Sequence, residues 1–102
     1  MAQSTADIYG EVHSLQDIRE INKQIRSEIT RAKDQAALTE LKKRSDYLCT
    51  LTLAPSWRTR FGKRSDRFLE VAREEDKKTT KAANDVAQKK HLDVEYHAWR
   101  GD

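Results

Sequence analysis

Residues 14–32 read SLQDIREINKQIRSEITRA, and this stretch decides the fold. Leu15, Ile18, Ile21, Ile25, Ile29 and Ala32 recur at steps of three and four, which places them on one face of an amphipathic helix. Ser14 stands where an N-cap belongs, with Asp17 three residues on and Glu20 beyond it, so acidic side chains meet the positive end of the helix.

Past Ala32 the pattern forks. Lys33-Asp34-Gln35 reads either as a turn, giving an antiparallel helical hairpin, or as one more turn of a single long helix. An eleven-residue spacing links Ile25, Ala36 and Tyr47, and also Ile18, Ile29 and Leu51 in a second series that Glu40 interrupts, as in a long straight or slightly right-handed helix. Leu38 and Leu41 stand off that stripe, as they would in a second helix with its own phase.

Gly10, Pro55, Gly62 and Gly101 are the only Gly and Pro residues, so the remainder of the chain divides cleanly. Pro55 can start a helix but not continue one, which predicts an end near Leu51, a short helical turn from Ser56 to Phe61 and a stop at Gly62. Ser65 is the expected N-cap of a last helix reaching about Lys90, with Phe68, Val71, Ala72, Thr79, Ala83 and Val86 inward. Glu74 with Lys78 and Asp85 with Lys89 are spaced for ion pairs on a solvated face. After Lys90 the period changes to alternation: Leu92, Val94, Tyr96 and Ala98 fall on one side, and His91, Asp93, Glu95 and His97 on the other. The alternation fails at Trp99. Ala6, Ile8, Gly10 and Val12 also alternate. The expected architecture is all-α, a small helical bundle with an N-terminal arm (1–13), a helical domain (14–90) and an extended C-terminal tail (91–102).

The 102 residues leave room for one small domain, and 36% apolar against 36% charged residues imply a thin core. Nothing approaches the roughly 18–20 apolar residues that span a bilayer, and the start lacks the basic and apolar regions of a leader, so no membrane association and no export are expected. Cys49 is the single cysteine, which fits a reducing cytoplasm and excludes an internal disulfide. Three glycines, none grouped, exclude the Walker, dinucleotide-binding and nucleophile-elbow loops.

Charge is uneven along the chain. The net +3 is the residue of a middle segment, 42–67, in which eight basic residues face only Asp46 and Asp66. Lys42, Lys43, Arg44, Arg58, Arg60, Lys63, Arg64 and Arg67 interleave there with Tyr47, Trp57 and Phe61, a composition suited to phosphates and unpaired bases. The plainer reading puts the basic residues at helix ends and the aromatic rings in the core. His91, Asp93, Glu95 and His97 carry metal-ligand chemistry, but alternate residues of an extended strand lie about 6.6–7 Å apart and do not converge on one ion, so a solvated face and no metal are expected. Cys49, between Leu48 and Leu51 without a neighbouring His, reads as a small buried residue. Glu70, Glu74, Glu75 and Asp76 read as a surface charge network.

With no catalytic motif and no cofactor signature, the sequence points to a non-enzymatic interaction or assembly module. Leu15, Ile18, Ile21, Ile25 and Ile29 are its candidate self-association face, giving a dimer, and Trp57 with the basic residues around it is the candidate site for a protein partner. The alternative is a small nucleic-acid-binding protein using the basic segment 42–67.

Overall fold

The structure, a computed structural model, describes residues 12–101. The arm up to residue 11, with the alternating Ala6, Ile8 and Gly10, lies outside the described residues. Within these residues the chain is an all-α bundle of three long helices and one short one: α1 (Leu15–Arg31), α2 (Gln35–Leu51), α3 (Pro55–Phe61) and α4 (Ser65–Lys89).

The helix α1 begins as its sequence dictates. Ser14 is extended and its hydroxyl accepts the Asp17 N–H at 3.2 Å, while Asp17 Oδ2 accepts the Ser14 N–H at 3.0 Å, a reciprocal capping box. The fork at Ala32 resolves as the hairpin. Ala32 leaves the helix in extended conformation (φ −64°, ψ 134°), and Asp34 caps α2 by accepting the Ala37 N–H at 2.8 Å. A capping carboxylate at Asp34 offers the backbone an alternative to continued helix, and that local bond wins. The single-helix reading is therefore corrected: Ala36 and Tyr47 are exposed, while Leu38, Leu41 and Leu48 are buried on a phase of their own.

Pro55 opens α3 at a position whose N–H needs no partner, after an extended Ala54. Gly62 then turns the chain with φ at 59°, where a side chain would be strained. A 3₁₀ turn, Gly62–Arg64, runs directly into α4. The expected Ser65 cap does not form, because Ser65 is already helical and buried and its N–H bonds Gly62 O.

Contacts fix the helix directions. Arg26 reaches Glu75 and Thr79, and Leu15 lies by Phe68, so α1 and α4 run parallel. Between them α2 runs the other way, with Ser45 against Asn22 and Lys42 against Asp76. The core holds Ile18, Ile25, Ile29, Leu38, Leu48, Val71, Ala72 and Ala83, closed at the α3 end by Trp57, Phe61 and Phe68. Each fully buried aliphatic or aromatic side chain contributes about 1.5–3 kcal/mol over its exposed state.

Beyond α4 the chain reverses and lies extended along the bundle. The alternation read in the sequence is realised: Leu92, Val94, Tyr96 and Ala98 are half-buried, and His91, Asp93, Glu95 and His97 are exposed. Trp99 breaks the pattern by turning inward beside Ala98. The tail packs on helices and, among the described residues, pairs with no strand.

Candidate functional site

The Ile face offered for self-association is used within the chain. Ile18 and Ile29 are fully buried, Ile25 and Ile21 nearly so, against α2 and α4 of the same bundle. Only Leu15, at the N-terminal end of the stripe, keeps partial exposure. Association through this face would require opening the bundle, so the stripe is a core seam.

The basic segment is also divided by the fold. Lys42 points inward and is buried, its ammonium 2.8 Å from Asp76 Oδ1 and 2.5 Å from Asp46 Oδ1. Arg44 lies 3.8 Å from Glu28, and Lys43 is exposed on the outer side of α2. Arg58 lies 3.6 Å from Asp66 and Arg67 2.8 Å from Glu70, both as solvated pairs. Arg60, Lys63 and Arg64 are exposed and have no acidic partner among the described residues.

Asp76, read as part of a surface network, is the centre of a buried polar cluster instead. Its carboxylate has no solvent exposure and takes the Lys42 ammonium and the Ser45 hydroxyl at 2.6 Å on Oδ1, and the Trp99 backbone N–H at 2.7 Å on Oδ2. Ser45 Oγ is also 3.0 Å from Asn22 Oδ1, which accepts the Thr79 hydroxyl at 3.1 Å. The single Ser45 proton serves the shorter, charge-assisted contact. Glu75 is buried too, bridged to Arg26 at 3.1 Å and to Lys78 at 3.1 Å, so Lys78 pairs three residues back and not with Glu74. Burial, only partly offset by Lys42, raises the Asp46 carboxyl above its usual 3.8.

Cys49 is fully buried, as its apolar neighbours imply. Burial, followed by the Asp76 and Asp46 charges, pushes its thiol from 9.0 up to about 12. The folded thiol thus holds its proton to higher pH than the unfolded one. Its contribution to stability is intact below about pH 9 and falls as pH rises from there toward 12. Alkylation by iodoacetamide at pH 8 should run far slower in the native protein than in urea, since the native thiol is both enclosed and held protonated. Equal rates in the two states, measured by mass spectrometry, would show that Cys49 is accessible.

At the α3 end the aromatic residues form one cluster, with Trp57 4.4 Å from Phe61 and 5.3 Å from Phe68 between ring centroids, and Phe61 4.7 Å from Phe68. Trp57 is fully buried and Phe61 nearly so. These rings are core, unable to stack on bases without unfolding. The outer side of Phe61 carries two guanidinium groups, Arg60 at 4.9 Å and Arg64 at 5.9 Å from its centroid. Arg60 also donates to His13 Nδ1 at 2.7 Å, tying the start of α1 to α3. Between the first turns of α1 and α4 lies a crevice of about 340 Å³, with Leu15 and Phe68 as its apolar floor and His13, Arg64 and Arg67 on its rim.

Among the described residues no three His, Cys, Asp or Glu side chains gather in a way that could hold a metal ion, and His91, Asp93, Glu95 and His97 stay spread along the tail. Among the described residues no helix is long and apolar enough to cross a membrane. Neither a family model, nor a curated protein, nor a solved structure matches this chain.

Proposed function

We propose that the protein is a non-enzymatic interaction module whose basic corner binds an acidic segment of a protein partner. The observation that carries this reading is the juxtaposition of Arg60 and Arg64, exposed and without acidic partners among the described residues, with the apolar crevice floored by Leu15 and Phe68, which Arg64 lines and Arg60 reaches through His13. An acidic segment with one apolar side chain complements both features. Its carboxylates would meet guanidinium groups, which favour bidentate geometry, and its apolar residue would enter the crevice. A purely phosphate-directed surface has no use for an apolar floor, and of the rings in the basic segment Trp57 and Phe61 are buried, while the exposed Tyr47 stands apart on α2.

The buried titratable groups further support a non-catalytic role. Lys42 and Asp76 engage one another, and the enclosed Cys49 thiol is raised out of the reactive range.

The test is binding of a fluorescent acidic dodecapeptide with a central Leu, alongside a single-stranded oligonucleotide of equal charge. The peptide should bind, weaken as salt rises, and lose roughly tenfold or more in affinity in the Arg60→Glu, Arg64→Glu double variant. Binding of the oligonucleotide alone, with a steep salt slope, would replace this reading by the nucleic-acid one.

A further inference from the structure

The groove between α2 and α4 is built to grip an extended peptide backbone, and at present it holds the chain's own tail. Asn84 on α4 reads one residue of that tail from both sides: its Oδ1 accepts the Tyr96 N–H at 2.7 Å and its Nδ2 donates to Tyr96 O at 2.9 Å. Two turns nearer the start of α4, the fully buried Asp76 accepts the Trp99 N–H at 2.7 Å. From α2, Thr39 Oγ1 lies 2.9 Å from the Tyr96 hydroxyl. Every one of these anchors lies on a helix, so any chain presenting the same extended sequence meets the same partners.

The connection that folds the tail back is strained. Leu92 N bonds Ala87 O at 2.9 Å and His91 N bonds Gln88 O at 3.2 Å, the pair of bonds that closes a Schellman turn. That turn requires its central residue in the left-handed region, where glycine is usual. Here it is His91 with φ 55°, the only residue other than glycine with positive φ among the described residues.

We propose that the α2–α4 groove also accepts the tail of a second copy of this chain, giving a dimer in which the two tails are exchanged. The exchanged form keeps the Asn84, Asp76 and Thr39 contacts and releases His91 from its left-handed conformation in both protomers. Only the hinge changes, and its strain is what favours exchange. This association does not use the basic corner and does not rest on the acidic-partner reading.

The experiment is light scattering of size-separated full-length chain with a hinge series. The His91→Gly variant, which relieves the strain in the closed form, should lower the dimer association constant roughly tenfold. Deleting Lys90 and His91, which leaves too little chain to reverse, should make the dimer predominant. Removing residues 91–102 should abolish it. In a co-refolded mixture, the tail-deleted chain should pair one to one with an Asn84→Ala chain, read by native mass spectrometry. A hinge-deleted chain that stays monomeric with native helix content by circular dichroism would overturn the proposal. So would a dimer that survives loss of the tail. If the tail-deleted chain fails to fold, the two hinge variants decide alone.

Discussion

Replacing Lys42 with methionine should destabilise the bundle by about 3–5 kcal/mol, with a penalty that shrinks as pH is lowered. The methionine fills most of the volume of the lysine stem, so the loss is electrostatic. Asp76 would keep the Ser45 hydroxyl and the Trp99 N–H but lose its only positive partner among the described residues while fully buried. Asp46, already raised above 3.8 by burial, would lose the ammonium that partly offsets it. The Asp46 carboxyl then binds its proton still more tightly folded than unfolded. The sign follows: with more protons bound in the native state, the variant's stability falls as pH rises above the unfolded carboxylate value and recovers as pH falls toward it. Adding Asp76→Asn should restore most of the loss at pH 7, because the amide oxygen still accepts from Ser45 or Trp99 and no buried charge remains. Urea unfolding at pH 4.5 and pH 7 for the single and double variants measures this. Equal destabilisation at both pH values, unrelieved by Asp76→Asn, would show that Lys42 acts through packing.

The helices were legible because their signals are local. The Ile stripe, the Ser14–Asp17 box and the break at Pro55 each lie within one or two turns of chain, and the structure uses all three. The Asp34 cap was written there as well, but it competed with an eleven-residue spacing that continues by coincidence through Ala36 and Tyr47. The buried polar cluster was harder to see. Asp76 sits among Glu70, Glu74 and Glu75 in a Lys-rich stretch, and composition alone assigns it to the surface. What distinguishes it is phase: Ala72, Thr79 and Thr80 stand three and four residues away on the inward face. Asn22 lies inside the Ile stripe, and Ser45 lies between Leu41 and Leu48. Polar residues interrupting apolar faces on three helices are the trace such a cluster leaves, but only the bundle shows that they meet. The same holds for Asn84, whose role depends on a tail that returns along its own helix.

Charge patterning was legible as a sum and not as a surface. Segment 42–67 concentrates positive charge, yet it crosses the end of α2, the connector α3 and the start of α4, and its members face different ways. Lys42 enters the core, Arg58 and Arg67 meet Asp66 and Glu70, and the group that stays together is Arg60 and Arg64 over Phe61. His13 joins that group through Arg60.

Truncating Trp57 to alanine should destabilise the fold by about 3–5 kcal/mol and loosen the basic corner with it. The indole is fully buried at the meeting point of α3 and α4, in tilted contact with Phe61 and edge-on to Phe68. Its removal leaves a cavity under a seven-residue helix that has no side-chain cap and holds little of itself in place. Arg60 and Arg64 lie over Phe61, and Phe61 lies against Trp57, so the guanidinium groups are positioned from beneath by the same packing. Trp57→Phe keeps a ring in the cluster and should recover more than half of the loss. Thermal unfolding ranks the stabilities. Titration of the acidic peptide well below each variant's midpoint separates the second effect: Trp57→Ala should bind more weakly even where it is fully folded, and Trp57→Phe close to the parent. Parent-like binding by folded Trp57→Ala would mean that the corner is held by the Arg60–His13 bond and the α4 backbone alone, independently of the core beneath it.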